Sequence, residues 1–442
     1  MLLDFIIERI LDRARSAQAR NRFDGRWANG QCRRHERLNI LFIASMPIEN
    51  VDDRGIFPDL VRALAEKGHR VIAVSAAERR EKRPTTVKQE GSVTILQVKT
   101  LNNRRVFFLE KALSVVLTPY LFGRAITKHV GKEPIDLIVY STPPVTLFRT
   151  IRYLKKRFSA STYLMLKDIW PQVMADLQVI KKGSLFWKVF ESQARKLYQI
   201  SDFIGTMSPG NSAFILAHYP FIPREKVEVC PNAAEPMTVP PLAEAERRQF
   251  REKHGIPAGA VLLAYGGSFN RPQGIPFLLE VLASYRHDER FFFFLCGAGT
   301  DYGAVERWLS SDGARPPNVK LLPYLPKADY FELLRQSDAG LVFLDARFTV
   351  PNMPSRTLDY MQHALPVAAA VDRHTDFRAI MEQGGFGLAS FAGDLQGFRA
   401  NMERLLDAGL RRGMGDAGRR YLEQHWSAAN ACDAILRHFQ QD

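Results

Sequence analysis

Cysteine is scarce in this chain. Its four residues, Cys32, Cys230, Cys296 and Cys432, lie far apart and form no Cys-x-x-Cys pair. That spacing argues against a disulfide framework or a zinc site and fits a reducing compartment. Long hydrophobic runs are missing too. The longest, around residues 113–123, falls short of the roughly 20 residues that cross a bilayer. No signal peptide is expected, because Asp4, Glu8 and Arg9 interrupt the first apolar run. Acidic residues are in deficit, and unevenly so. Residues 1–240 hold 38 Lys and Arg against 23 Asp and Glu, whereas residues 241–442 hold 23 against 24. The whole excess of the +14 formal charge therefore sits in the first half. A basic half suits an anionic partner: a membrane surface, a nucleic acid or an acidic substrate. A solvated face that aids solubility is the alternative reading.

What is present describes an ordinary globular protein of two or three domains: 442 residues, 46% apolar and 24% charged. Residues 1–22 read as an amphipathic helix, with Leu2, Leu3, Phe5, Ile6, Ile10 and Leu11 at helical spacing and arginines between them. Such a helix suits a membrane interface, and packing on a neighbouring domain fits equally. Residues 23–37 read as a basic tether. Folding proper is expected from Leu38. A buried strand over 39–44, a loop with Arg54 and Gly55, a helix over 57–67 and a strand over 70–75 make a βαβ unit. Strands are expected at 93–98, 137–140, 160–165 and 203–206. An apolar helix over 107–130, led by Arg104, Arg105 and Lys111, reads as a buried helix or one that dips into lipid.

Two loops follow strands in this half: Ser141-Thr142-Pro143-Pro144 and Lys167-Asp168-Ile169-Trp170-Pro171-Gln172. Both fall at carboxyl ends of strands, where open α/β sheets bind ligands. Asp168 is the better-placed titratable group, with a helix-capping Asp before Pro171 as the alternative. Residues 227–239 read as a strand entering a Pro-rich linker. A second alternation follows, with strands expected at 261–266, 291–296, 319–322, 339–344 and 366–370. Its first strand leads into Gly266-Gly267-Ser268-Phe269-Asn270-Arg271-Pro272-Gln273-Gly274 and a helix over 275–285. Its second ends in Gly297-Ala298-Gly299. Glycines let backbone approach a ligand closely, and Arg271 adds charge. The final helix is expected over 428–439.

The most informative stretch is Pro351-Asn352-Met353-Pro354-Ser355-Arg356-Thr357-Leu358-Asp359-Tyr360-Met361. Its prolines and Asn352 predict a rigid turn, and Ser355 then sits where a helix N-cap belongs. The front of such a helix favours a diphosphate, Arg356 adds a fixed charge, and Asp359 is able to accept hydrogen bonds from a ribose diol. An ordinary capped helix after a Pro-rich loop fits the same residues.

In this order, Asp168-Ile169-Trp170-Pro171, Met207-Ser208-Pro209, Pro231-Asn232-Ala233, Gly267 to Gly274, Gly297-Ala298-Gly299, Pro354-Ser355-Arg356, Asp359-Tyr360-Met361 and Pro366-Val367 resemble the large retaining glycosyltransferase family four. The nearest branch is that of bacterial fucosamine-type polysaccharide and O-antigen transferases. The resemblance spans about residues 38–440. It implies the α/β GT-B architecture, with two doubly wound Rossmann-like domains facing a cleft: an N-terminal acceptor domain over 38–238, a C-terminal donor domain over 239–427, and a helix over 428–442 that crosses back.

The chain departs from the pattern in several places. The usual pair of glutamates would fall on Pro351 and Asp359. The branch's Pro-Ser-Lys carries Arg356 for Lys. The usual Arg and Lys would fall on Ser268 and Gln273. The glycine before the last Pro-Val is Ala364.

The resemblance further implies a nucleoside-diphosphate-sugar donor, with a UDP-sugar favoured, transferred with retention onto a lipid-linked or glycan acceptor in cell-surface polysaccharide synthesis. The implied donor site is Gly267, Ser268, Arg271, Gly274, Gly297, Gly299, Pro354, Ser355, Arg356 and Asp359. Arg271 and Arg356 would stabilise the leaving diphosphate. Arg54, Gly55, Pro143 and Asp168 would hold the acceptor, with Asp168 orienting or deprotonating its hydroxyl. No Asp-x-Asp pair occurs, so no metal or other cofactor is expected. The implied partners are a polyprenyl-diphosphate-linked or glycan acceptor and an anionic membrane, at the inner face of the cytoplasmic membrane. Rival readings are a nucleotide-sugar epimerase or another sugar enzyme on the same architecture, an oxidoreductase, and a basic nucleic-acid-binding protein. The glycines at 297–303 sit mid-domain, which disfavours the oxidoreductase. No nucleic-acid module is recognised, which disfavours the last.

Overall fold

The computed structural model describes residues 37–102, 108–311 and 316–439. The amphipathic helix expected over 1–22, and Arg104, Arg105 and Phe107, lie outside the described residues. Two sheets carry the fold. The first contains β1 (Asn39–Ile43), β2 (Arg70–Glu78), β3 (Thr86–Glu90), β4 (Val93–Thr100), β5 (Leu137–Thr142), β6 (Ser161–Leu166), β7 (Phe203–Thr206) and β8 (Val227–Val229). Their order is β3-β4-β2-β1-β5-β6-β7-β8, parallel throughout except for β3 against β4. The second contains β9 (Val261–Ser268), β10 (Phe291–Ala298), β11 (Val319–Leu322), β12 (Ala339–Phe343), β13 (Val367–Val371) and β14 (Gly387–Phe391), in the order β11-β10-β9-β12-β13-β14.

The apolar runs explain why these strands are central. Every residue of β5, β12 and β13 is buried. Side chains alternate across the second sheet. Leu263 and Tyr265 of β9 join one apolar cluster with Phe291 and Phe293, while Leu262 joins another with Phe292 and Phe294. Two strands had no sequence signal strong enough to be expected. β3 is a polar edge strand with exposed side chains. β14 is a short run opening on Gly387.

Strand order reverses between β1 and β5 in one sheet and between β9 and β12 in the other. Loops leaving the carboxyl ends of strands at such reversals splay apart and leave a crevice, where this fold class binds ligands. The two sheets belong to one compact unit, and the chain crosses between them twice. Ala234 and Ser427 form an isolated parallel bridge, so the two crossings run side by side. The helix Ala428–Leu436 then packs on the helix Ile56–Glu66 of the first domain, where Lys67 pairs with Asp433. Beyond it, the His438 ring stacks on Phe203 at 3.7 Å and its Nε2 lies 3.0 Å from Glu228.

Candidate functional site

The glycine-rich side, where a donor site is expected, is built on a close crossing of two backbones. β9 and β10 run two residues further than their apolar runs suggest, so Gly267 pairs with Gly297 and Ser268 with Ala298 in register. These glycines are therefore strand residues rather than loop residues. A Cβ on Gly297 would sit 1.8 Å from the Gly267 carbonyl oxygen, and its φ of 149° excludes other residues independently. Packing of strand on strand thus accounts for Gly297, and similarly for Gly299 against Phe269. Gly274 has the same cause, since a Cβ there would lie 2.7 Å from the Leu344 carbonyl oxygen. Gly267 differs: it is exposed, and the atoms nearest a Cβ there are the Arg356 guanidinium nitrogen and carbon, at 3.8 and 3.9 Å.

Arg356 is the charge at this crossing. Its guanidinium lies 4.2 Å above the Tyr265 ring and donates through Nη2 to Gln273 Oε1. Nη1 is enclosed and has no hydrogen-bond partner among the described residues. No carboxylate pairs with Arg356 among the described residues, so a fixed cation lies behind Gly267 uncompensated. Gln273, at the position where the resembled family has Lys, thus holds Arg356 in place. Arg271 opens the same 3₁₀ turn, is exposed, and makes no ion pair among the described residues.

Ser355 does not cap its helix. The helix is Arg356–Gln362, and Ser355 already has helical angles, φ −63° and ψ −25°, with no side-chain bond to an amide. Capping needs an extended residue whose hydroxyl turns back onto the amides that follow, and a helical Ser355 cannot reach them. The preceding turn is held by other chains of contact: Asn211 Nδ2 donates to the Pro351 carbonyl at 2.8 Å, and Thr375 Oγ1 to that of Asn352 at 2.8 Å. Pro354 accepts from the Thr357 amide at 3.2 Å. Asp359 lies on the first turn, with its carboxylate 3.8 Å from Lys327 Nζ. Burial pushes its pKa up, and Lys327 opposes the shift. Lys327 also sits 3.4 Å from the carbonyl of Arg54, a residue of the other domain.

The residues expected to meet an acceptor come to the carboxyl ends of neighbouring strands β1, β5 and β6 of the first sheet. Gly55 precedes the helix Ile56–Glu66 and donates to Asp59 at 3.3 Å. The other oxygen of Asp59 accepts from the Glu235 amide at 2.9 Å, which ties this loop to the interdomain crossing. Arg54 is exposed. Pro143 is exposed beyond β5, and its carbonyl accepts from Ser45 Oγ at 3.0 Å, joining the loops after β1 and β5. Asp168 follows β6, the next strand. Its carboxylate accepts no hydrogen bond among the described residues, and burial lifts its pKa to about 6 against the pull of Lys167. Lys167 is pushed down to about 8 by burial, and its Nζ is enclosed without a partner. Asp168 therefore does not cap the short helix Gln172–Asp176.

The residues that sequence reasoning missed are those joining the two domains. After β12 the chain reaches across, so Phe348 and Val350 complete the apolar core of the first domain. Between them, Thr349 bonds Asp176 through its amide at 2.8 Å. Asp376 accepts from Ser208 Oγ at 2.7 Å and from the Gly210 amide at 2.6 Å, at the front of the helix Pro209–His218. The available signal was the run Phe348-Thr349-Val350, two large apolar residues in a stretch otherwise read as a loop. Among the described residues no group of three His, Cys, Asp or Glu is placed to hold a metal ion.

No family model matches the chain. Over 320 residues it is 21% identical to a probable glycosyltransferase, WbjE, of Pseudomonas aeruginosa, covering 72% of this chain and 77% of that protein. Among solved structures it resembles a sucrose-phosphate synthase from Thermosynechococcus elongatus, at 15% identity and a TM-score of 0.69, covering 91% of this chain and 98% of that one. It also resembles HepE of Anabaena in complex with UDP, at 13% identity and a TM-score of 0.63, covering 91% and 99%. The chain has the GT-B architecture of two Rossmann-like domains.

Proposed function

We propose that this chain is a retaining glycosyltransferase. It moves a sugar from a nucleoside-diphosphate sugar, with UDP as the favoured nucleotide, onto a lipid-linked or glycan acceptor at an anionic membrane surface. The observation that carries the reading is the uncompensated Arg356 guanidinium behind the exposed Gly267, at a strand-order reversal. A departing diphosphate supplies the anion this cation lacks, and stabilising it as charge develops is the main catalytic task in such a transfer. Arg271, exposed at the start of the same turn, adds a second charge. Asp359, with Lys327 beside it, takes the ribose. Across the crevice, Asp168 has a pKa high enough to accept a proton from the acceptor hydroxyl near neutral pH. The likeness to a UDP-bound structure and to a probable glycosyltransferase supports the nucleotide and the reaction class.

A thermal-shift screen against UDP-, GDP-, ADP- and dTDP-sugars tests this. A ligand held only by the folded state at about 100 times its Kd adds about 2.7 kcal/mol. For a domain of this size that raises Tm by about 5–10 °C. The UDP-sugars are expected to give this rise and Arg356→Ala to abolish it. A protein indifferent to all four classes refutes the reading.

A further inference from the structure

Large apolar side chains are exposed on one face of the first domain. Three helices, Phe108–His129, Phe148–Phe158 and Leu185–Ile200, lead into β5, β6 and β7 by crossovers that all run the same way along the sheet. Right-handed crossovers place all three on the same face, and they pack side by side there. Tyr120 and Tyr153 are exposed on the first two. The densest group lies at the start of the third: Leu185 is 75% exposed, Val189 45%, Val179 42% and Phe186 40%. A globular surface keeps such side chains scattered, and four within eleven residues form a patch.

The charge around the patch has one sign. Residues 145–200 carry eleven Lys and Arg against three Asp and Glu. Of the three acids, Asp168 follows β6 at the crevice and Asp176 is bonded to Thr349. The third, Glu191, accepts from the Tyr219 hydroxyl at 3.1 Å and has Arg195 at 3.9 Å. Lys181, Lys182 and Lys188 are exposed and form no ion pair among the described residues. Lys188, Arg195 and Lys196 line a groove along the same helix.

We infer that segment 179–189 is a membrane-docking edge for a bilayer containing acidic phospholipid. Leu185, Phe186 and Val189 enter the headgroup boundary, and Lys181, Lys182 and Lys188 meet the phosphates. Apolar residues flanked by lysines match that boundary in both polarity and charge, whereas an acidic protein partner would leave the apolar side chains unmatched. The edge is distinct from the two segments expected from the sequence to reach lipid, 1–22 and 107–130. It deepens the lipid-linked-acceptor reading and rests on it for its purpose, but the binding itself needs neither donor nor acceptor.

The test is flotation of the full chain with phosphatidylcholine vesicles, with and without about 30 mol% phosphatidylglycerol. The parent is expected to float with the acidic vesicles only, and to be released as salt shortens the Debye length to about 3 Å near 1 M. The L185E/F186E/V189E variant, which removes three apolar contacts and sets three like charges against the acidic surface, is expected to lower vesicle partitioning more than about 100-fold. All three side chains are exposed, and Leu185 and Phe186 lie in the helix's first turn, where a glutamate suits its dipole, so folding is preserved. The K181Q/K182Q/K188Q variant, which leaves the apolar surface intact, is expected to lower partitioning about 100-fold. Both variants are expected to keep the UDP-sugar thermal shift, which separates failure of this surface from failure of the donor site. A parent that ignores acidic vesicles overturns the inference. So does either variant floating as the parent does, which would place the contact elsewhere, residues 1–36 included.

Discussion

The two domains share one architecture and finish it differently. Among the described residues, Tyr324 is the single exposed large apolar side chain between residues 239 and 427, whereas the first domain leaves eleven exposed. The second domain's charges nearly cancel, whereas the basic excess lies wholly within residues 1–240, most of it in the first domain. Their crevice edges differ as well. The second presents a rigid crossing of strands with one fixed cation behind it, Arg356. The first presents separate loops carrying groups that titrate, Asp168 and Lys167. The contrast fits a division of labour in which one lobe holds a nucleotide of constant shape and the other meets an acceptor at a surface.

Substitutions that separate the lobes sharpen this contrast. The largest stability effect is expected at Gly297→Ala. The added Cβ has nowhere to go against the Gly267 carbonyl, so a loss of about 2–4 kcal/mol and of UDP-sugar binding is expected, read by denaturant unfolding and thermal shift. An unchanged midpoint would show the second domain to be less rigid than described.

The acceptor lobe is tested by pH. If the Asp168 carboxylate takes the proton, kcat/KM is low when it is protonated and rises with pH through about 6. Asp168→Asn removes that limb. Lys167→Met removes the charge that lowers the Asp168 pKa, so the limb moves to higher pH. A limb unmoved by both variants assigns the proton to another group.

The smallest effect belongs to Ala364, which sits in a left-handed conformation at φ 50°, where the resembled family has glycine. Ala364→Gly is expected to stabilise the protein by about 0.5–1 kcal/mol without altering kinetics, measured by urea unfolding. A destabilised variant would mean that contacts of the methyl group outweigh the backbone strain.

Most of the fold was legible because parallel strands buried on both faces announce themselves as continuous apolar runs, as at Phe291-Phe292-Phe293-Phe294. β3 was not legible, because an exposed edge strand needs no apolar pattern. The glycine-rich crossing with Arg356 was legible as a cluster of residues but not as a geometry. Gly297 and Gly299 read as ligand contacts, and the structure adds that each is packed against backbone, Gly297 across the strand pair and Gly299 against Phe269. Ser355 read as a cap, but it follows a turn held from far away in sequence, by Asn211, 140 residues before Pro351, and by Thr375, 23 residues after Asn352. The reach of Phe348 and Val350 into the other domain's core depends on which surface faces them, and no local pattern encodes that.

Titration calorimetry of UDP into the parent, Arg356→Ala and Arg271→Ala tests the central claim most directly. The account predicts that Arg356→Ala weakens binding about 100-fold or more, the cost of removing a fixed charge partner from an enclosed anion site. It predicts a smaller loss for the exposed Arg271→Ala. Equal affinity in the parent and Arg356→Ala would contradict it.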